Sequence, residues 1–257
     1  MGRIVVFDSG FGSLSIIKAI QRHTKAEIIY FADQKNFPYG TKSKKELEKI
    51  IKLTISNLQK KFKPDLIVVG SNTPSLLLDK IILNDGTVIG VFPPLLVAQQ
   101  LTKTNSIAIL ATSAVVQSVA LKSFIKKNLI NNVKILKIDS SELIDLVESG
   151  KFIHNKNFCA KKIISIVKQN FIRNNVDVAT LSSTHLPFLL SHLQKIFPQV
   201  KFLDPADKIA NQIVNHKSFS PSIKNTLRIF SSGDDVETFQ TNLHRIGIKK
   251  NVRHINF

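Results

Sequence analysis

Short runs of apolar, often β-branched residues alternate with longer amphipathic stretches along the chain. The short runs predict strands, and the longer ones predict helices because their apolar residues recur at helical spacing. Predicted strands cover residues 4–7, 27–31, 66–69, 88–91, 106–110, 134–138, 178–181 and 201–203. Predicted helices cover residues 14–23, 44–62, 115–128, 143–150, 157–174 and 206–216. The alternation indicates an α/β protein whose parallel strands are covered by helices on both faces.

Two segments in different halves of the chain share one pattern. In each, an Asp (Asp65, Asp177) stands six residues before a Ser (Ser71, Ser183) that follows an apolar strand. A Thr then follows within two residues, and a Pro and a Leu-rich run come next. Open α/β sheets bind ligands at the carboxyl ends of their strands, where backbone N–H groups are free. The pattern therefore predicts two related α/β units, each with a polar turn at that edge.

Composition excludes several classes of protein. Hydrophobic residues make up 43% of the chain and charged residues 21%, which excludes a disordered or fibrous protein. No apolar run reaches the roughly 18 residues of a membrane span, and no signal peptide is recognised, so we expect a cytoplasmic protein without membrane contact. The single cysteine, Cys159, excludes an internal disulfide and a cysteine-rich metal site. The histidines show no metal-ligand spacing, so no metal is expected.

The charge balance raises the question of a polyanionic partner. The chain has 36 Lys and Arg against 18 Asp and Glu, a formal net charge of +18. Only 6 of the 36 are Arg. Arg is preferred for base and phosphate recognition, whereas scattered Lys is typical of solvated helix faces. We therefore expect no specific nucleic-acid binding, only weak and nonspecific binding at low salt.

Several further motifs occur in a characteristic order over nearly the whole chain. They lie at residues 6–12, 31–33, 38–43, 71–73, 90–91, 111–112, 146–148, 182–185, 203–204 and 232–234. Together they resemble the aspartate/glutamate racemase family, most of all its glutamate racemases. The resemblance implies two similar, pseudo-symmetric parallel-sheet α/β domains, with residues 93–204 inserted into a domain of residues 1–92 plus 205–257. It also implies that the domains face each other across an active-site cleft.

The same resemblance implies an activity. Family members interconvert L- and D-glutamate without a cofactor, using two opposed bases, and D-glutamate serves as a peptidoglycan precursor. The expected ligand is therefore a small acidic amino acid, glutamate or aspartate. No cofactor is expected, and a homodimer stays open.

The two bases of the family are cysteines, and by resemblance Ser71 and Ser183 stand at their positions. A thiol has a pKa of about 8.5, so a fraction is thiolate near neutral pH. A serine hydroxyl is a far weaker base unless a neighbour activates it. The resemblance implies that Asp8 and His185 are the ionisable helpers next to these two positions.

Further site residues are also implied by the resemblance. Substrate contacts are expected from Ser9, Pro38, Tyr39, Gly40, Asn72, Thr73, Thr112 and Thr184. Asp33 and Glu148 are expected to be auxiliary carboxylates of the pocket. The sequence departs from the family pattern at Ser13, Val115, Leu121 and Leu186, as well as at the two serines.

Alternatives stay open at this point. The serines could be an engineered pair of Cys→Ser changes, the mark of a natural relative with lost or altered chemistry, or working bases with unusual activation. A catalytically silent sensor of an acidic amino acid and a polyanion-binding protein are the alternatives to a racemase. Locally, Ser9 or Ser13 could cap the helix from residue 14, Ser71 and Ser183 could be ordinary helix caps, and Glu148 could be a solvated residue.

Overall fold

A computed structural model of the chain describes residues 2–83, 86–130 and 132–257. Within them the strands are β1 (Arg3–Asp8), β2 (Glu27–Ala32), β3 (Leu66–Val69), β4 (Val88–Gly90), β5 (Ser106–Ala111), β6 (Lys134–Asp139), β7 (Val178–Leu181), β8 (Lys201–Leu203), β9 (Thr226–Ser231) and β10 (Val252–His254). The α-helices are α1 (Leu14–His23), α2 (Lys44–Phe62), α3 (Asn72–Leu77), α4 (Asp79–Ile82), α5 (Leu95–Leu101), α6 (Ser113–Gln117), α7 (Val119–Asn128), α8 (Ser141–Glu148), α9 (Lys151–His154), α10 (Lys156–Arg173), α11 (Leu190–Ile196), α12 (Ala206–Val214) and α13 (Val236–Arg245). Short 3₁₀ turns cover Gln34–Asn36, Tyr39–Thr41 and Leu186–Leu189. None of the helices in these described ranges is long and apolar enough to cross a membrane.

The chain packs into two compact units, each with its own sheet. Unit 1 comprises residues 1–91 and 206–257, and unit 2 comprises residues 92–205. The strand order is β10-β9-β2-β1-β3-β4 in unit 1 and β6-β5-β7-β8 in unit 2, and every pairing is parallel. The predicted α/β class with two parallel sheets is therefore confirmed. The predicted domain limits, 1–92 plus 205–257 and 93–204, remain a proposal and differ by one residue at each boundary from the units defined by packing.

Four strands of each unit follow the same order. The β2-β1-β3-β4 part of unit 1 corresponds to β6-β5-β7-β8 in unit 2. After β3, the Gly70 N–H donates to the Phe7 carbonyl at 2.7 Å, and after β7 the Ser182 N–H donates to the Leu110 carbonyl at 2.8 Å. The serine that follows each of these bonds, Ser71 or Ser183, therefore leaves an equivalent strand at an equivalent point.

The Asp of each repeated segment lies at the opposite, amino end of its strand. The Asp65 carboxylate accepts the Arg3 N–H at 2.7 Å, where β1 begins. The Asp177 carboxylate accepts the Lys103 N–H at 2.6 Å, the Thr104 N–H at 3.1 Å and the Thr102 hydroxyl at 2.6 Å, just before β5. Burial raises the pKa of Asp177, but these hydrogen bonds outweigh it and leave the pKa below its usual value. The two aspartates are structural.

Apolar residues of the strands form the core of unit 1. The side chains of β1 from Ile4 to Phe7 are fully buried, as expected for a central parallel strand. On one face the sheet packs against α2 through Leu47, Ile51 and Leu58. Helices α1 and α12 pack together, and each buries one apolar stripe.

Most predicted elements are present, with one clear error. Strands β3, β7 and β8 and helices α1 and α2 have the predicted bounds. The predicted single helix over 115–128 is wrong, because Ser118 is extended (ψ 145°) and its hydroxyl accepts the Leu121 N–H at 3.0 Å. Ser118 therefore begins a new helix, as an N-cap serine does. The hydrophobic pattern does not predict β9, which is buried along only half its length, or the exposed edge strand β10.

Gly70 allows β3 and the start of α1 to approach closely. A Cβ at this position would lie 2.4 Å from the Ser13 Cβ and 2.8 Å from its Oγ. The Ser13 hydroxyl is buried without a hydrogen-bond partner among the described residues and does not cap α1. The capping interpretation of Ser13 is therefore wrong, and so is that of Ser9, whose hydroxyl accepts the Tyr39 N–H at 3.3 Å.

We predict that Gly70→Ala lowers the free energy of unfolding by about 1–3 kcal/mol, because the new methyl group overlaps Ser13. The Ser13→Gly/Gly70→Ala double variant should regain more than half of this loss, since removing the Ser13 side chain opens the space. Urea unfolding of both variants and of Ser13→Gly alone measures the effect. Strictly additive losses would contradict the proposed contact.

Candidate functional site

The carboxyl ends of the unit 1 strands bring several predicted residues together. Asp8 ends β1, and Asp33 follows β2 with its N–H donating to the Asp8 carbonyl at 2.7 Å. The Asp8 carboxylate accepts the Ser9 N–H at 2.7 Å. Both aspartates are buried, with exposed fractions of 1% and 2%. The two aspartates are therefore neighbours along the backbone at this edge of the sheet.

Neutral donors surround the Asp33 carboxylate. Asn36 Nδ2 donates to both of its oxygens, at 2.9 and 3.0 Å. The Tyr39 hydroxyl donates at 2.9 Å and the Ser232 hydroxyl at 3.1 Å. Asp33 thus holds the 34–41 segment against the end of β9. Sequence reasoning assigned no role to Asn36 or Ser232; the motif at residues 232–234 was the only signal that pointed to the latter.

Tyr39 lies inside this network. Burial raises the pKa of its phenol well above the usual value, and the charge and hydrogen bond of Asp33 raise it further, with smaller contributions from Asp8 and Tyr30. Tyr39 therefore stays a neutral hydrogen-bond donor at physiological pH. Of the two residues next to Tyr39, Pro38 is exposed and Gly40 is half-buried.

The turn after β3 presents Ser71 and Asn72. Ser71 precedes α3, but its side chain makes no capping hydrogen bond, so its interpretation as an ordinary cap is wrong. Asn72 Nδ2 donates to the Val91 carbonyl at 3.1 Å, and its buried Oδ1 has no partner among the described residues. Ser75 holds the turn by donating to the Ser71 carbonyl at 2.7 Å while accepting the Val91 N–H at 2.9 Å. Thr73 is buried in the same turn.

Unit 2 gathers the other predicted residues at the carboxyl edge of its own sheet. Thr112 follows β5 and caps α6 by accepting the Val115 N–H at 3.3 Å. Ser183 and Thr184 follow β7 and are buried, with exposed fractions of 6% and 3%. The Ser183 carbonyl accepts the Leu186 N–H at 3.0 Å. These residues form the counterpart of the turn around Ser71.

His185 and Glu148 form a pair in unit 2. The His185 Nε2 atom contacts the Glu148 Oε1 atom at hydrogen-bond distance, and the side chains are 8% and 17% exposed. Glu148 is the last residue of α8. Because it is paired with His185 and mostly buried, the interpretation of Glu148 as a solvated residue is wrong. A carboxylate on one ring nitrogen fixes the orientation of the imidazole.

The serine hydroxyls differ from these paired groups. Neither Ser71 nor Ser183 makes a side-chain hydrogen bond within residues 2–83, 86–130 and 132–257. The same ranges contain no group of three or more His, Cys, Asp or Glu residues that could hold a metal. Cys159 is buried in α10, and burial raises the pKa of its thiol, so it is an unreactive core residue.

Comparison with known proteins extends this description. No family model matches the chain. A glutamate racemase of Thermoanaerobacter pseudethanolicus is 29% identical over 266 residues, which cover 98% of this chain and 97% of that protein. Glutamate racemase 1 of Caldanaerobacter subterraneus subsp. tengcongensis is 30% identical over 217 residues, or 82% of this chain and 79% of that protein. The chain belongs to the aspartate/glutamate racemase family.

A solved structure shows the same fold. Escherichia coli glutamate racemase in complex with L-glutamate and the activator UDP-MurNAc-ala has a TM-score of 0.82 and 23% identity, with 99% of this chain and 98% of that chain covered. The predicted resemblance is therefore confirmed at the level of family and fold. The family relatives are amino-acid racemases, a class of isomerase.

We predict that Tyr39→Phe lowers the free energy of unfolding by about 1–3 kcal/mol at neutral pH, because the buried Asp33 carboxylate loses a donor. It should also change the pH dependence. The pKa of Tyr39 is higher in the folded than in the unfolded chain, so its stabilising contribution is complete below about pH 10 and is lost above it. Urea unfolding across this range should show a shallower decline for Tyr39→Phe. Parallel curves would contradict the prediction.

Proposed function

We propose that this protein binds glutamate and that Ser71 and Ser183 stand at the two base positions of a glutamate racemase site. The observation that carries the proposal is the equivalence of the two polar turns, each following the third strand of a repeated four-stranded arrangement. Family membership supports glutamate as the ligand. As in the family, the protein would be cytoplasmic and its product would be a peptidoglycan precursor.

Asn72 is a specific candidate for contact with the substrate. Its Nδ2 donates to the Val91 carbonyl, so the orientation of the amide is set and Oδ1 points away from that bond. A buried carbonyl oxygen without a donor is costly, and an α-ammonium group supplies such a donor. Ser9, Tyr39, Gly40, Thr73, Thr112 and Thr184 stay proposed contacts at the same sheet edges, and Pro38 stays a proposed contact at the exposed end of its turn.

The proposed reaction needs two groups that act on opposite faces of the substrate Cα. One base takes the Cα proton, the electron pair is held by the carboxylate as an enediolate, and the conjugate acid of the second base returns a proton from the other face. Asp8 would assist at the Ser71 side, and the His185–Glu148 pair would assist at the Ser183 side. Asp33 would act indirectly, by holding Tyr39 and Ser9 in position.

The serines make binding without efficient turnover the second candidate function. A hydroxyl works as a base only when another group accepts its proton, and neither serine has a hydrogen-bonded acceptor among the described residues. His185 is engaged with Glu148. This observation favours a protein that holds an acidic amino acid and exchanges its Cα proton slowly or not at all. Polyanion binding by the +18 surface stays a separate prediction.

The test is loss of the Cα proton signal of L- and D-glutamate in D₂O, followed by proton NMR. We expect binding but little exchange from the unmodified chain, and strong exchange from the Ser71→Cys/Ser183→Cys variant, because a thiolate is available near neutral pH. Each single variant should exchange one enantiomer faster than the other, since each base serves one face. Ser191→Cys, at an exposed position of α11, controls for the presence of an added thiol.

Each outcome has a clear meaning. Exchange by the unmodified chain would show that the serines work as bases and would contradict the non-catalytic candidate. If the double cysteine variant binds glutamate and stays silent, the assignment of Ser71 and Ser183 to the base positions is wrong. If no form of the protein binds glutamate or aspartate, the proposed substrate class is wrong.

A further prediction concerns Asn72. Asn72→Leu has nearly the same volume but lacks both the acceptor and the donor, so we expect glutamate affinity to fall about tenfold or more, the equivalent of one lost hydrogen bond to a charged group. Isothermal titration calorimetry measures the affinity, and circular dichroism checks the fold. Asn128→Leu is the control, because Asn128 donates within unit 2 to the Phe124 carbonyl at 2.8 Å, away from the proposed contacts. Equal affinities of the two variants would contradict the role of Asn72.

A further inference from the structure

Unit 1 contains a cavity of about 320 Å³ that the proposed reaction does not use. Its walls are α2, the Gln34–Asn36 turn, the residue after β9 and residues 256–257. Neither Ser71 nor Asn72 lines it. Its volume falls at the lower end of the range of small-molecule sites, which is roughly 300–1,000 Å³.

One wall of the cavity is apolar and partly open to solvent. The rings of Phe31 and Phe257 meet edge to face, with their centroids 5.2 Å apart. Phe257 is 47% exposed and Leu53 is 56% exposed, and both line the cavity with Ile50. An apolar group placed here would cover surface that water now contacts, which is favourable in proportion to the area buried.

Two of the four charged residues that line the cavity are lysines without an acidic partner among the described residues. Lys35 and Lys49 form no ion pair with any residue in the described part of the chain. Of the two acidic lining residues, Glu46 lies 3.3 Å from the Lys42 ammonium group, and Asp33 is occupied by its own donors. The ammonium groups of Lys35 and Lys49 can therefore pair with an anionic group of a ligand.

We propose that this cavity binds a small organic anion that joins a carboxylate or phosphate group to an aromatic ring. The ring would lie against Phe31, Leu53 and Phe257, and the anionic group would face Lys35 and Lys49. Asn36 and Ser232 line the cavity and also donate to Asp33. A ligand in the cavity would therefore contact the network that holds Tyr39, while its binding would not depend on racemase activity.

The test uses phenyl phosphate and phenylacetate as probes of the whole chain, with benzyl alcohol as the uncharged control, followed by ligand-detected NMR and calorimetry. We expect both anions to bind and benzyl alcohol to bind at least about tenfold more weakly, the loss of roughly one charge contact. Lys49→Glu should weaken the anions about tenfold or more by reversing a charge, and Leu53→Trp should do so by filling the space. Lys45→Glu makes the same charge change on α2 outside the cavity and should leave binding within about twofold.

The outcomes separate this proposal from the proposed function. If neither anion binds, or if Lys45→Glu weakens binding as much as Lys49→Glu, the proposed site is wrong and the anions respond only to the general positive surface. If binding is unchanged in Leu53→Trp, the ligand lies elsewhere and the proposal also fails. None of these readouts requires glutamate or turnover, so failure of the racemase assignment would leave them unaffected.

Discussion

Parallel pairing of the first and third strands in each unit determines where Ser71 and Ser183 lie. Parallel strands bring their carboxyl ends to one edge, where the following N–H groups and side chains are free of the ladder. The pairing of β1 with β3, and of β5 with β7, is extended one residue further by the bonds of Gly70 and Ser182. Each serine then leaves its strand at the same point. The structural aspartates Asp65 and Asp177 stabilise the other ends of these strands.

The Asp33 carboxylate is buried and has hydrogen-bond partners from several parts of unit 1. A carboxylate removed from water must be satisfied by hydrogen bonds, and Asp33 draws on Asn36, Tyr39 and Ser232. Ser232 lies 199 residues away along the chain. The network therefore joins the ends of β2 and β9 to the Gln34–Asn36 and Tyr39–Thr41 turns. The same residues stand between the proposed glutamate contacts and the proposed anion cavity, so both depend on this network.

The chemistry of the two serine positions contrasts with the fold that surrounds them. Family membership and fold agree with a glutamate racemase, and the proposed helpers Asp8 and His185 and the proposed auxiliary carboxylate Glu148 have defined partners. The two positions proposed for the bases carry hydroxyls without a hydrogen-bonded acceptor in the described residues. Binding depends on shape and hydrogen bonding, whereas proton transfer depends on the acidity of one atom at each position. A chain can therefore keep ligand binding and lose proton transfer when oxygen replaces sulfur at two positions.

The local sequence determined most of the predicted strands and helices. Residues 66–69 and 178–181 are short apolar runs typical of strands, and the helix over 44–62 has apolar residues at helical spacing. The repeated Asp and Ser pattern also located both polar turns. Tertiary structure alone decided that Ser9 and Ser13 do not cap α1 and that Glu148 pairs with His185. The partners of Asp33 were beyond sequence reasoning for the same reason. Periodicity reports which face of one element is buried, but hydrogen bonds between distant segments depend on how the elements pack against one another.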